Sequence, residues 1–297
     1  MKPPVLTVEN FSVDYLGTHT THAVKEVGFT LARGEVLGLA GESGCGKSTL
    51  AYGLTRLLKP PALITSGRAT FHPGTGDPID LASLNGDELR RFRWDKISMV
   101  FQGAMNSLNP VISIRAQIED IFTTHRPQMR RPEREKAVGD LLERVGVDRN
   151  RMRAYPHELS GGMRQRVMIA MAMALDPQIM IMDEPTTALD VVVQREILDE
   201  ITRLRTELGF AVIFITHDLP LLLEVADRIA VMRSGQIVEI QDAYDLYTTP
   251  QHEYTKRLLA SFPSLTGERG DFIRTGASDA RLGQLEETDQ DAEGALQ

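Results

Sequence analysis

The chain has 297 residues, 42% apolar and 25% charged, the proportions of a globular protein with material for one large core or two smaller ones. Its 33 Lys and Arg against 41 Asp and Glu leave a formal charge of -8, which repels a phosphate polymer and excludes nucleic acid as the expected partner. The single cysteine, Cys45, excludes an internal disulfide and a cysteine metal cage and suits a reducing compartment.

Residues 1–11 carry Pro3, Pro4 and Glu9 where a secretory signal needs an unbroken apolar stretch. The most apolar runs, residues 167–175 and 210–216, are about half the roughly 18 residues that cross a bilayer, so a membrane is expected to be met only through a partner. Residues 5–13 and 23–31 alternate in polarity and predict strands of a small antiparallel sheet. Residues 35–40 form a short apolar run ending in a glycine-rich turn, and 47–58 have helix-forming composition, which reads as strand, loop, helix. Pro60, Pro61, Gly67, Pro73, Gly74, Gly76 and Pro78 then predict turns and short strands rather than long elements.

From 84 to 175 the pattern is mostly helical, with Ile114, Ile118 and Ile121 on one face and Val138, Leu141, Leu142 and Val145 on another. Arg126, Arg130, Arg131, Arg134 and Lys136 cluster between two of these helices and read as a solvated loop without chemistry. Strands at 178–182 and 211–216 flank a helix at 194–208, a βαβ unit that implies a parallel sheet. Ser234-Gly235 predicts a hairpin turn between strands at 229–232 and 236–240, at the sheet edge. Beyond Gln251 the periodicity weakens. Residues 283–297 hold five acidic residues and no basic one, and are expected to be disordered.

Gly41-Glu42-Ser43-Gly44-Cys45-Gly46-Lys47-Ser48 fits G-x-x-x-x-G-K-[ST] between a predicted strand and a predicted helix, the context this phosphate-binding motif requires. Its glycines let successive backbone N–H groups converge on phosphate oxygens, the helix N-terminus adds positive potential, Lys47 reaches the outer phosphates and Ser48 holds magnesium. The expected nucleotide contacts from this segment are Gly41, Ser43, Gly44, Cys45, Gly46, Lys47, Ser48 and Thr49. A thiol placed before a helix N-terminus is also expected to have a lowered pKa, so that alkylation of Cys45 stops activity and bound nucleotide protects it.

A phosphate loop alone does not choose among kinases, switches and motors. The buried run Ile179-Met180-Ile181-Met182 ends in Asp183-Glu184, which puts two carboxylates at the carboxyl edge of a parallel sheet. Asp183 is placed for the magnesium shell and Glu184 to accept a proton from water attacking the γ-phosphate; a plain helix cap before Pro185 is the structural alternative. Leu159-Ser160-Gly161-Gly162-Met163 opens a strongly helical run, and Ser160 with two glycines makes a second anion-binding helix start, or simply a cap.

The order of phosphate loop, Leu-Ser-Gly-Gly and Asp-Glu-Pro resembles the ATP-binding cassette family. The resemblance spans about residues 5–262 and implies an α/β P-loop NTPase with a RecA-like core, an N-terminal antiparallel β-subdomain and an inserted helical subdomain at about 84–175. The cassette is expected over 1–250 and a C-terminal extension over 251–297. In this family the loop of Ser160, Gly161 and Gly162 completes the nucleotide site of a second ATPase subunit in a head-to-tail dimer.

By the same resemblance, Gln102 is the lid glutamine that contacts magnesium and the membrane partner. Asp190, in Ala188-Leu189-Asp190, lies on the loop touching the other subunit, and His217 is the histidine that senses the γ-phosphate. Tyr15 is placed like the aromatic that stacks on adenine, though strand tyrosines are often core. The catalytic set is therefore Glu184, His217 and Gln102, and the magnesium set Ser48, Gln102 and Asp183.

Within the family the chain looks most like the ATPase subunits of peptide and nickel importers. The residues that carry this are Met105-Asn106-Ser107-Leu108-Asn109-Pro110, the run from His157 to Arg166, and the tail with Tyr247, Pro250, His252, Tyr254-Thr255 and Leu258-Leu259. The implied assembly pairs the chain with a second, homologous ATPase, two transmembrane permease subunits and an extracytoplasmic solute-binding protein, at the cytoplasmic face of the membrane. Peptide-type members commonly carry an acidic residue and proline after the lid glutamine; this chain has Gly103-Ala104, and oligosaccharide importers share the subfamily. Some relatives hold an iron–sulfur cluster on C-terminal cysteines, for which one thiol does not suffice. A soluble cassette of DNA repair or translation would bring a coiled-coil insert or a basic face, and a binding-only regulatory subunit would lack Glu184.

Overall fold

The computed structural model describes residues 2–103, 107–187 and 189–261. The acidic tail, and Ala104, Met105, Asn106 and Ala188 of the motifs above, lie outside the described residues. Two sheets organise the molecule. The first is antiparallel, in the order β2-β1-β4-β5, from β1 (Pro4–Tyr15), β2 (Thr21–Ala32), β4 (Ala62–Phe71) and β5 (Ile79–Asp80). The second has six strands in the order β10-β9-β3-β8-β7-β6: β3 (Val36–Ala40), β6 (Ile97–Val100), β7 (Ile179–Asp183), β8 (Ala211–Ile215), β9 (Arg228–Arg233) and β10 (Gln236–Asp242). Neighbours in it run parallel except β9 and β10.

The central strands β3, β7 and β8 are buried at every position, as a sheet covered on both faces requires. Their side chains alternate between two cores. Val36, Met180, Met182, Val212 and Phe214 pack with the helices on one side, and Leu37, Leu39, Ile181, Ile213 and Ile215 pack with the antiparallel sheet on the other. The predicted hairpin closes the edge, with Ser234 and Gly235 at φ 48° and 88°, the left-handed pair of a type I′ turn.

The proline- and glycine-rich stretch departs from expectation, because it contains the ten-residue strand β4, paired to β1. Pro60 and Pro61 stand before the strand and Pro73 after it, so no ladder donor is lost inside. The one interior glycine, Gly67, sits at φ +79° where the register against β1 shifts, and a Cβ there would lie 2.2 Å from the Asn10 carbonyl oxygen.

The stretch read as mostly helical also contains a strand. Helix α2 (Gly86–Asp95) leads directly into β6, the far edge of the parallel sheet. Four residues are too few for a period-2 signal to stand out between helices. After α1 (Lys47–Leu54) and α2, the helices in this part are α3 (Ile114–His125), α4 (Arg131–Arg144) and α5 (Gly161–Met173). The basic cluster, read as a loop, instead places Arg131, Arg134 and Lys136 in the first turns of α4, because Pro132 suits a helix start, and its charges are paired: Arg126 with Asp95, Arg130 with Glu133 and Lys136 with Asp140. The chain continues through α6 (Val191–Leu208), α7 (Leu219–Val225), α8 (Ala243–Thr248) and α9 (Glu253–Ala260). Among the described residues no helix is long and apolar enough to cross a membrane.

Candidate active site

The phosphate loop joins β3 to α1. Gly46 precedes the helix at φ +110°, where a Cβ would lie 2.2 Å from the Ala23 carbonyl oxygen, so only glycine lets the loop press against β2. No side chain caps α1, whereas Ser113, Ser160, Asp190 and Asp218 cap α3, α5, α6 and α7. The first N–H groups of α1 are thus left for an anion. Lys47 is buried and its ammonium donates to the carbonyls of Gly41 (2.7 Å) and Glu42 (2.9 Å).

Cys45 is buried, with Sγ 3.6 Å from Lys47 Nζ. Its side chain belongs to the core between the sheets. Burial of the thiol opposes the ready alkylation expected from its place before the helix. The hydroxyls of Tyr15 and Thr49 lie 3.2 Å apart in hydrogen-bond contact, which ties the end of β1 to the start of α1.

At the carboxyl end of β7, Ser48 Oγ donates to Asp183 Oδ1 at 3.1 Å. Asp183 Oδ2 is buried and has no hydrogen-bond partner, an arrangement that suits a hard cation. Burial pushes the Asp183 carboxyl above its ordinary range, reinforced by the charge of Glu184; the bond from Ser48 and the charge of Lys47 act the other way without cancelling this.

Glu184 adopts a positive φ of 47°, with its N–H donating to the Ile215 carbonyl at 2.9 Å. A non-glycine residue held in this region is strained, and here the strain turns the side chain toward three polar partners. His217 Nδ1 lies 3.1 Å from Oε1, while Gln102 Nε2 and Thr187 Oγ1 each donate to Oε2 at 3.0 Å. Burial acts to raise the Glu184 carboxyl, but these bonds, His217's foremost, outweigh it and hold the group below its ordinary range. The two neighbouring acids are thereby driven apart, one upward and one downward, as groups with different tasks are.

The structure thus gathers Lys47, Ser48, Asp183, Glu184, Gln102 and His217 from β3–α1, β6, β7 and β8 at one end of the parallel sheet. Ser160 and Asp190 cap their own helices: Ser160 Oγ accepts the Met163 N–H at 3.2 Å and Asp190 accepts the Val193 N–H at 3.0 Å. Among the described residues no hydrogen bond joins either to the loop, Asp183 or Glu184. Thr187 belongs to none of the sequence motifs. The available signal was its place three residues after Glu184 in a tight turn, where a hydroxyl reaches back.

The ABC transporter family profile matches residues 24–187 of this chain. The chain is 42% identical over 279 residues to a Brucella abortus protein whose name describes peptide import ATP binding, covering 93% of this chain and 82% of that one. It is 42% identical over 265 residues to the dipeptide transport ATP-binding protein DppD of Bacillus subtilis, covering 88% of this chain and 77% of that protein. Among solved structures, the fold is similar to a dimeric post-hydrolysis ATP-binding cassette bound to ADP and Pi. That match has a TM-score of 0.69 at 30% identity, over 80% of this chain and 98% of that one.

Proposed function

Because the chain belongs to the ABC transporter family, whose cassettes bind and hydrolyse ATP, we propose that it energises uptake of dipeptides or oligopeptides as half of a closed pair of cassettes at the inner face of a membrane. Glu184 carries this reading. Held ionised by His217, Thr187 and Gln102 beside the phosphate loop, it is oriented to take a proton from the water that attacks the γ-phosphate. The loop amides and Lys47 bind the phosphates, and the Lys47 ammonium, with three N–H donors, keeps the Gly41 carbonyl while it turns a donor to a phosphate oxygen.

Ser48 and Asp183, with the unpartnered Oδ2, would hold magnesium, and Gln102 would join them. The ion, when bound, neutralises charge on the outer phosphates. His217 fixes the Glu184 carboxylate through Oε1, so the base keeps one orientation through turnover. Tyr15, tied to Thr49, would offer its ring to the adenine.

The second half of each site would come from Ser160, Gly161, Gly162 and Asp190 of a related partner cassette. Val191 and Val192, just after Asp190, are 80% and 70% exposed, as a surface covered by that partner would be. Val111 and Ile112, between β6 and α3, are exposed in the same connection that carries Gln102 and suit contact with permease subunits, which an extracytoplasmic binding protein would supply with solute. Gly103 stands where peptide-type members commonly carry an acidic residue, which keeps oligosaccharides as the alternative cargo.

Deletion of the gene and assay of labelled solutes tests the reading. Loss of dipeptide and oligopeptide uptake is expected, restored by the wild-type gene and not by Glu184→Gln. Loss confined to oligosaccharide uptake overturns the peptide assignment.

A further inference from the structure

The C-terminal segment reaches back into the phosphate loop. Tyr254, at the second position of α9, is 5% exposed, and its hydroxyl accepts the backbone N–H of Glu42 at 3.3 Å. That N–H belongs to the peptide unit whose carbonyl, on Gly41, accepts the Lys47 ammonium at 2.7 Å. A peptide unit is planar, so a hold on its N–H also sets the direction of its C=O. Tyr254 and Lys47 therefore grip the two sides of one rigid plate.

The tyrosine is itself braced. The Arg233 guanidinium, at the end of β9, lies 4.9 Å from its ring centroid. Glu239 on β10 accepts the N–H groups of Gln251 (2.7 Å) and His252 (3.0 Å), and His252 Nδ1 accepts the Tyr254 N–H at 3.0 Å. The two bonds to Glu239 and the Arg233 contact thus hold the start of α9 against the edge hairpin, His252 caps the helix, and the Tyr254 hydroxyl extends from it into the nucleotide loop.

We infer that Tyr254 is a positioning residue that aims Lys47 at the phosphates by fixing the Gly41–Glu42 peptide, so that the C-terminal segment forms part of the nucleotide site without touching nucleotide. This rests on the reading of the phosphate loop given above. Tyr254→Phe keeps the ring and its stacking on Arg233 and removes only the hydroxyl. In the full-length protein the KM for ATP rises about three- to tenfold, the effect of one modest hydrogen bond, while kcat and the nucleotide-free melting temperature stay at wild-type values. Tyr244→Phe, on the exposed face of α8, leaves KM unchanged.

Coupling is reciprocal, so adding MgATP to the wild-type chain slows amide hydrogen exchange across Glu253–Ala260 by a comparable factor. A Tyr254→Phe protein with wild-type KM overturns the inference, as does one with lowered melting temperature and kcat at unchanged KM, or exchange across α9 indifferent to nucleotide. Failure of the wild-type chain to bind nucleotide overturns the loop assignment itself, and this inference with it.

Discussion

Burial raises Asp183 and hydrogen bonding lowers Glu184, so two adjacent acids respond to pH in opposite ways. A carboxyl whose folded pKa is raised favours folding below the unfolded pKa and loses that contribution as pH rises through the folded value; at neutral pH its ionised form opposes folding. Asp183→Asn removes that charge and keeps an acceptor for Ser48. Its nucleotide-free melting temperature is expected to rise by about 2–4 °C, the shift produced by about 1 kcal/mol in a domain this large. Magnesium-dependent hydrolysis is lost in the same variant, and calorimetry with an ATPase assay reads both.

Glu184 behaves conversely, since its lowered pKa keeps it ionised through neutral pH. His217→Ala removes the first of the bonds that hold it down. The acid limb of the pH profile of kcat/KM, measured on the residual activity, moves to higher pH. Glu184→Gln keeps nucleotide affinity and cuts turnover by at least ~10²; turnover near wild type removes the base from Glu184.

Short strands and tight turns do the positioning at the scale of elements. The five residues of β7 deliver Asp183 and Glu184 to the sheet edge, and the four of β6 deliver Gln102 beside them. Their hydrogen bonds to neighbours leave little freedom along the strand, which is why a carboxylate, an amide and an imidazole from distant positions meet within about hydrogen-bond length. The antiparallel sheet has a different task, to cover the second face of the parallel one, and its bulge at Gly67 bends β4 along β1. Gly67→Ala forces backbone to move against Asn10 and destabilises the fold by about 1–3 kcal/mol. The folded fraction keeps wild-type nucleotide affinity, as denaturant titration and nucleotide binding together test.

At the scale of the whole molecule, the residues around the phosphate loop and the Ser160 and Asp190 helix starts are joined by no hydrogen bond among the described residues. Lys47, Asp183 and Glu184 form one group, whereas Ser160 and Asp190 each accept an N–H from the first turn of the helix they cap. On the proposed reading, a second cassette would face the phosphate loop with its own Ser160 and Asp190. The Glu184→Gln protein with MgATP is expected to run as a dimer by light scattering, and Ser160→Arg in the same background to remain monomeric. A dimer indifferent to Ser160→Arg places the interface elsewhere.

Local chemistry made much of this legible from the residues alone. Gly41 to Ser48, the apolar run into Asp183-Glu184, the βαβ pattern and the Ser234-Gly235 turn are contiguous signals, each set by a few neighbouring residues, and the alternation along β3, β7 and β8 follows from burial on both faces. What the tertiary structure decided is what depends on chain segments far apart. Tyr254 met the Glu42 N–H only when a docked helix brought it there, and β4 became a long strand because β1 offered a partner for it. Hydrogen bonding and burial between residues 82, 33 or 212 positions apart leave no periodic trace in a sequence, because the chain between them can take any course that closes the contact.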